Sequence, residues 1–447
     1  MSLKISISGV RGFVPETLTP EICLDFAKAF GTFLSESRKK SPVVVIGTDA
    51  RKSSEFIRGI VFAGLLSTGC RVIDIGIAPT PTVGFMTRKL KADGGMIITA
   101  SHNPLPWNGL KFIRHDGIFL NEKQALRLIE IYEKKAFIVR PPQNVTYNAT
   151  AIDQHIKKVL AVLKPPRLNF KVVVDACNSA GSVAAGELLH QLGCKFIPLN
   201  CDTSKPFPHP PEPIAANLKA LMQKVKAEHA DIGFALDSDA DRLAIVSNEG
   251  KAIGEELTLA LAVRYMLEKS GKKNPQVVIN LSTTQAIEDI VQEKGGTVLR
   301  TKIGEVHVAE ALVRTKALIG GEGNGGVIFP PVTCNRDSLA GMVMILSLMA
   351  QTKKTIAELA NAVPAYHMVK GKIDCGSQAE ASALVEKIKK DFKQYTLVLT
   401  EGVKVLFPDG WLHVRASNTE PIIRVMAEGK DKAATERLVS QVLEAGR

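Results

Sequence analysis

Ala92-Asp93-Gly94-Gly95-Met96-Ile97-Ile98 runs straight into Thr99-Ala100-Ser101-His102-Asn103-Pro104. The first stretch reads as a buried strand. The second reads as a tight polar loop, because Asn and Pro force a turn behind the serine. A close cousin of the strand recurs as Ala230-Asp231-Ile232-Gly233-Phe234-Ala235-Leu236, and a shorter one as Ala317-Leu318-Ile319-Gly320. Each is preceded by the same pair of elements. A β-branched strand opens the unit (Val43-Val44-Val45-Ile46, Lys171-Val172-Val173-Val174, Val277-Val278-Ile279), and a Gly-led second strand follows (Gly69-Cys70-Arg71-Val72, Gly193-Cys194-Lys195-Phe196, Gly295-Gly296-Thr297-Val298). Strand–helix–strand units of this kind build mostly parallel sheets covered by helices. Three related α/β domains are therefore expected. If they pack with like ends together, their third-strand loops (99–104, 237–242 and 321–326) converge on one cleft.

From about Ala365 the pattern changes. Met368–Ile373 alternates apolar and polar residues, and 379–392 reads as a helix. Strand-like pieces follow at 396–400 and 403–407, then a turn at Pro408-Asp409-Gly410, a polar loop and a last helix over 431–443. This predicts a smaller C-terminal α+β domain. The expected division is 1–148, 149–250, 251–364 and 365–447.

The chain has 447 residues, 45% hydrophobic and 23% charged, the composition of an ordinary globular protein with several domains. There is no apolar run of the roughly 18 residues a membrane span needs. Met1-Ser2-Leu3-Lys4 lacks the apolar stretch of a signal peptide, so a cytoplasmic location is the default expectation. Seven scattered cysteines without a CxxC pair suggest reduced thiols and no zinc site. The net charge of +12 favours anionic partners. Nucleic acid is one such partner, but only 5% of residues are aromatic and the basic runs are short; phosphorylated small molecules fit the charge equally well.

A serine in such a loop is more often a cap or turn residue than a nucleophile. Three further segments change that balance. Asp237-Ser238-Asp239-Ala240-Asp241-Arg242 lies between two apolar strands. In an extended loop its three carboxylates would share one face and repel unless a cation sat among them. Oxygen-only ligands favour Mg²⁺. An Asp-x-Asp pair also occurs in phosphatases with an aspartate nucleophile, which stays open as an alternative. Arg415-Ala416-Ser417-Asn418-Thr419-Glu420-Pro421, followed by Arg424, gathers hydroxyls, an amide and guanidinium forks suited to phosphate. The blander reading is a capping box that opens a helix, from the Ser417 to Glu420 spacing; the two are compatible, because helix N-termini bind anions. Gly320-Gly321-Glu322-Gly323-Asn324-Gly325-Gly326 lets backbone approach a ligand, with Glu322 and Asn324 as polar contacts. Arg11, in Gly9-Val10-Arg11-Gly12, and the segment Gly47–Ser54 read first as turns or caps. Lys111 reads first as a surface lysine that a short connection could return to the cleft.

Together and in order, these segments resemble the α-D-phosphohexomutase family over the whole chain: phosphoglucomutases, phosphomannomutases and phosphoglucosamine mutases. The resemblance implies four domains around a central cleft. It implies that Ser101 carries the phosphoryl group as a phosphoserine, and that Asp237, Asp239 and Asp241 hold Mg²⁺ together with that serine. Arg242 would lie beside the phosphate. Arg11, His102 and Lys111 would surround the reacting hydroxyl, with Lys111 as general acid/base. Glu322 and Asn324 would meet the sugar hydroxyls. Arg415, Ser417, Asn418 and Thr419, with Arg424 nearby, would hold the non-reacting phosphate. The implied partners are a hexose phosphate and a hexose 1,6-bisphosphate activator, for a monomer or homodimer with no nucleic acid or membrane. Many relatives have serine at Asn324 and histidine at Gly326, so this chain resembles the archaeal-type branch. The expected reaction exchanges phosphate between O6 and O1, most simply on glucosamine 6-phosphate. Alternatives are a broad phosphomannomutase/phosphoglucomutase, an Mg-dependent aspartate-nucleophile sugar phosphatase, and a basic binding protein without catalysis.

Overall fold

The computed structural model describes residues 3–36, 41–417 and 422–445. Three sheets share one plan. In each, the opening strand (Val43–Thr48, Lys171–Asp175, Gln276–Asn280) lies between the second and third strands and parallel to both. The third strands are Gly94–Ile98, Ile232–Leu236 and Ile319–Glu322. A fourth strand (Trp107–Arg114, Leu243–Ser247, Gly326–Phe329) then returns antiparallel beside the third. The sheets are thus parallel at their centres and antiparallel at one flank. The antiparallel return was not read from sequence, although each polar loop is followed by a second apolar run. Its consequence is positional: all three loops sit at the carboxyl end of a parallel strand, where α/β folds place their sites.

The first sheet adds Gly9–Phe13 and Lys4–Ser6 beyond Trp107–Arg114, and Val145–Tyr147 at its other edge, for seven strands. Arg11, expected in a turn, is on that added strand opposite Lys4 and Gly109. The third sheet adds Thr333–Arg336.

Apolar packing groups the domains unequally. One continuous cluster runs from Ile156 to Val363 through the second and third sheets, centred on helix Ser338–Thr352. That helix is apolar on every side, so it can only be stable when covered all round. It packs against Ala151–Leu163 and Glu255–Ser270. Asp337 caps it, its Oδ1 accepting from the Leu339 and Ala340 N–H groups at 2.9 and 3.2 Å. The other carboxylate oxygen of Asp337 is 3.1 Å from His155 Nε2, and His155 Nδ1 is 3.0 Å from Thr82 Oγ1. This buried chain of polar groups ties the first three sheets together.

The C-terminal region has its own core and a five-stranded antiparallel sheet. Its order is His367–Asp374, Ile422–Gly429, Gly410–Ala416, Val403–Phe407, Thr396–Val398, covered by helices Gln378–Asp391 and Lys432–Ala445. Two of these strands were not expected. The capping-box reading of Ser417–Glu420 falls on residues 418–420, which lie outside the described residues; the next described element, Ile422–Gly429, is a strand and not the helix that reading expects. All seven cysteines are unpaired and five are buried. Among the described residues no helix is long and apolar enough to cross a membrane.

Candidate active site

Ser101 is buried, with φ +51, a left-handed conformation uncommon for a residue with a side chain. Something must hold it there, and Arg51 does. Its Nη2 donates to the Ser101 carbonyl at 2.5 Å and to the Asn103 carbonyl at 2.7 Å, while Nη1 donates to the Trp107 carbonyl at 2.8 Å. Asp49 neutralises it from behind, accepting from Nε at 2.8 Å. The Ser101 carbonyl also accepts from Ser238 Oγ at 2.7 Å, so the serine loop is pinned to the aspartate loop. Held this way, Ser101 Oγ donates to Asp237 Oδ2 at 3.1 Å.

Asp237, Asp239 and Asp241 are fully buried, with one ligand oxygen of each within 4.8 Å of the others. The extended loop expected from alternation is corrected. The segment is a turn, closed by the Ala240 N–H on the Asp237 carbonyl at 3.1 Å with Ala240 at φ +52. Asp237 Oδ1 accepts the N–H groups of Asp241 and Arg242, both at 3.1 Å. Ser338 Oγ steadies the turn by donating to the Ala240 carbonyl at 2.6 Å.

Lys111 is on a strand, opposite Ile97, and buried. Its Nζ donates to Asp239 Oδ2 at 2.7 Å and lies 3.4 Å from Asp241 Oδ2. Burial works against its charge, but Asp239 and Asp241 outweigh that and raise its pKa. Burial likewise pushes Asp239 up, and Lys111 and Thr80 more than reverse it, holding that carboxyl below the usual range. At Asp237, burial and then Asp241 and Asp239 outweigh Arg242 and its backbone N–H and push the carboxyl well above the usual range. Asp239 Oδ1 and Asp241 Oδ1 are buried without a hydrogen-bond partner. Buried acceptors without donors are costly, so this oxygen-only set fits a small hard dication.

Arg242 Nη2 is 3.0 Å from His102 Nδ1, and that nitrogen is 3.5 Å from Ser101 Oγ. Burial, then Arg242 and Arg11, push His102 down to about 2, so it is neutral. Arg11 Nη1 donates to Asn103 Oδ1 at 2.9 Å.

The glycine loop meets the aspartate loop through backbone. The Leu243 N–H donates to the Gly325 carbonyl at 3.0 Å. Gly325 is at φ +86, and a Cβ there would stand 2.4 Å from the Leu243 carbonyl oxygen, so glycine is required twice over. Glu322 accepts from Asn280 Nδ2 at 2.9 Å and from Arg336 Nη1 at 2.9 Å. Asn324 Oδ1 is buried and unpartnered.

Arg415 pairs with Glu401 at 3.1 Å. Arg424 lies directly opposite it on the neighbouring strand, so two guanidinium groups share one sheet face. Like charges so placed repel unless an anion lies between them. Ser417 is buried, its carbonyl accepting from Gln378 Nε2 at 2.6 Å. Asn418 and Thr419 lie outside the described residues.

Residues 3–139, 152–250, 254–366 and 371–445 match, in turn, domains I, II, III and IV (the C-terminal domain) of the phosphoglucomutase/phosphomannomutase family. The chain belongs to that family. Within the family it is 38% identical to a phosphoglucomutase/phosphomannomutase of Thermococcus kodakarensis, covering 95% of this chain and 94% of the relative. It is 36% identical to a probable phosphoglucosamine mutase of Pyrococcus horikoshii, covering 99% and 97%. A crystal structure of a phosphoglucomutase/phosphomannomutase family protein from Burkholderia thailandensis superimposes with a TM-score of 0.86 at 27% identity, covering 99% and 97%.

In this family member the sequence reading missed several residues that shape the site. Thr80 Oγ1 donates to Asp239 Oδ2 at 2.7 Å, bringing the start of helix Thr80–Lys89 onto the aspartate loop. Glu212, in the proline-rich stretch 206–213, accepts from Arg242 Nη1 at 3.2 Å. Arg51 was in view but read as a turn or cap. Arg336 gave no local signal, because only the fold brings it to Asp241.

Proposed function

We propose that this chain is a phosphohexomutase that moves phosphate between O6 and O1 of a hexose phosphate through a phosphoserine at Ser101. One observation supports this reading above the others: a left-handed, buried serine donates its hydroxyl hydrogen bond into a buried triple-aspartate cluster. In this reading the chain divides into 1–148, 149–250, 251–364 and 365–447, each domain contributing one loop.

Asp237, Asp239 and Asp241, with an oxygen on Ser101, would hold Mg²⁺. When bound, that ion neutralises charge on the transferring phosphoryl group. The rest falls to the chain. Arg242 sits beside Ser101 to pair with phosphate oxygens, and neutral His102 holds that guanidinium in place. The P–O bond to Ser101 breaks as a P–O bond to the sugar hydroxyl forms, giving a 1,6-bisphosphate. The proton leaving the sugar hydroxyl balances the one that the serine oxygen takes up, and Lys111 is the residue proposed to exchange it. The bisphosphate turns over and returns its other phosphate to Ser101. A hexose 1,6-bisphosphate would therefore reload a dephosphorylated enzyme. Glu322 and Asn324 would receive sugar hydroxyls, and Arg415, Ser417 and Arg424, with Asn418 and Thr419, the phosphate that does not react. Positioning and charge neutralisation are what such a transfer requires.

For the sugar we propose glucosamine 6-phosphate, in keeping with the Pyrococcus relative's name. The Thermococcus relative's name favours a second reading, broad activity on glucose and mannose phosphates. The test is kcat/KM on glucosamine, glucose and mannose phosphates, with Mg²⁺ and a trace of bisphosphate. A large preference for glucosamine phosphate is expected. Comparable rates on the other two select the second reading, and release of inorganic phosphate without isomerisation contradicts both.

A further inference from the structure

Arg336 ends the strand Thr333–Arg336 and is 8% exposed. Its Nη2 donates to Asp241 Oδ2 at 2.6 Å and its Nη1 to Glu322 Oε2 at 2.9 Å. Its Nε lies 3.2 Å from Glu305 Oε2. The first carboxylate belongs to the aspartate loop and the second to the glycine loop, so a single side chain spans both.

Its path crosses Gly326. A Cβ built on Gly326 would stand 2.2 Å from Arg336 Cδ and 2.8 Å from Cγ. Gly326 is not among the glycines with positive φ, so its backbone does not demand glycine. The residue is small because the arginine stem needs the room. Any side chain at 326 collides with that stem.

The fork leaves both carboxylates in defined orientations. Asp241 gives Oδ2 to Arg336 and keeps Oδ1 buried without a partner. Glu322 gives Oε2 to Arg336, and its Oε1 accepts from Asn280 Nδ2 at 2.9 Å and the Gly304 N–H at 3.1 Å. Glu305 fixes the fork from behind, its Oε1 accepting the Arg336 backbone N–H at 2.8 Å. A planar guanidinium can serve several carboxylates at fixed angles, whereas an ammonium is a single point of charge.

We propose that Arg336 is a positioning residue that sets the Asp241 and Glu322 carboxylates in one register, and that Gly326 is the space it requires. The roles of those carboxylates rest on the phosphohexomutase reading; the bridge itself does not. Metal ligation and sugar recognition are then oriented by the same side chain.

The experiment is a double-mutant cycle of Arg336→Lys and Gly326→Ala. Mn²⁺ binding to the unphosphorylated protein is measured by electron paramagnetic resonance, and kcat/KM on glucosamine 6-phosphate in parallel. Lysine keeps the positive charge, so the loss it reports is of orientation rather than of electrostatic repulsion. Each single variant is expected to weaken Mn²⁺ binding by about tenfold, the usual cost of losing a residue that orients a metal ligand. The double variant is expected to be no weaker than the worse single one, with kcat/KM following the same pattern. Unchanged Mn²⁺ affinity in both singles, losses that multiply in the double variant, or a wild type that binds no Mn²⁺ would each overturn the proposal. Should the lysine variant fail to fold, Gly326→Ala alone carries the test with the arginine intact. A wild type that shows the Mn²⁺ pattern but isomerises no hexose phosphate refutes the functional reading and leaves the bridge standing.

Discussion

The junction of the first three loops and the arginine-bearing strand of the C-terminal sheet are built in opposite ways. At the junction, Ser101, the three aspartates and Lys111 are buried, and hydrogen bonds cross from one domain to the next: Arg51 to Ser238, Ser238 to Ser101, Thr80 to Asp239 and Ser338 to Ala240. The second and third sheets even share one apolar core. The C-terminal sheet has a core of its own. It meets the third domain through separate polar contacts: the Ile303 N–H on Glu401 at 2.7 Å, the Gln285 N–H on Glu428 at 2.7 Å, and Ser282 Oγ against His413 Nδ1 at 3.0 Å. A shared core resists displacement, whereas a seam of hydrogen bonds between separate cores is the usual place for a domain to move. On the proposed phosphohexomutase reading, chemistry would be set at the junction of the first three domains, and phosphate capture would belong to a body with its own core that can shift against the third domain.

Substitutions on the two sides should therefore separate kcat from KM. The largest effect is expected from Ser101→Ala, which should remove mutase turnover by about 10⁴-fold or more, the scale for deleting a covalent carrier. Its circular dichroism and melting should stay near wild type; substantial residual turnover would break the phosphoserine account. Next comes Lys111→Met, expected to cost about 10²–10³-fold in kcat with KM far less affected. A pure KM effect would move capture into the junction. On the other side, Arg415→Ala should raise KM by about 10–100-fold, the scale of a lost charged hydrogen bond, with kcat little changed. A fall in kcat at constant KM would instead make the C-terminal sheet part of the chemistry.

The smallest expected effect concerns stability at the seam. Glu256 accepts from the Thr284 N–H at 3.0 Å, and burial pushes its carboxyl from 4.5 up to about 8. Between those values the folded protein keeps a proton that the unfolded chain releases. Stability from this group is complete below 4.5 and is lost as pH rises through about 8. The wild-type melting temperature should fall across that window, and Glu256→Gln should flatten much of the fall. An unchanged slope would assign the pH dependence to other groups.

The same contrast explains what the sequence made legible. The repeated strand pattern located all three third strands, because a β-branched run between Gly-rich turns is a local signal. Ser101 and the three aspartates were legible for a related reason: polar residues between apolar runs need explaining. Arg336 and Thr80 were not, since each reaches the aspartate loop from a distant part of the chain. Trp411-Leu412-His413-Val414-Arg415 alternates as a strand should, yet its nearness to a polar, phosphate-like motif hid it. The antiparallel fourth strands escaped because an apolar run after a loop fits either direction.

The most direct test of the central claim is to incubate the purified protein with glucose 1,6-bisphosphate and map phosphate by mass spectrometry, before and after a chase with excess hexose 6-phosphate. Phosphate on Ser101 that leaves in the chase, with bisphosphate recovered, is the predicted result. Phosphate on Asp237 or Asp239, or only inorganic phosphate in solution, would contradict it.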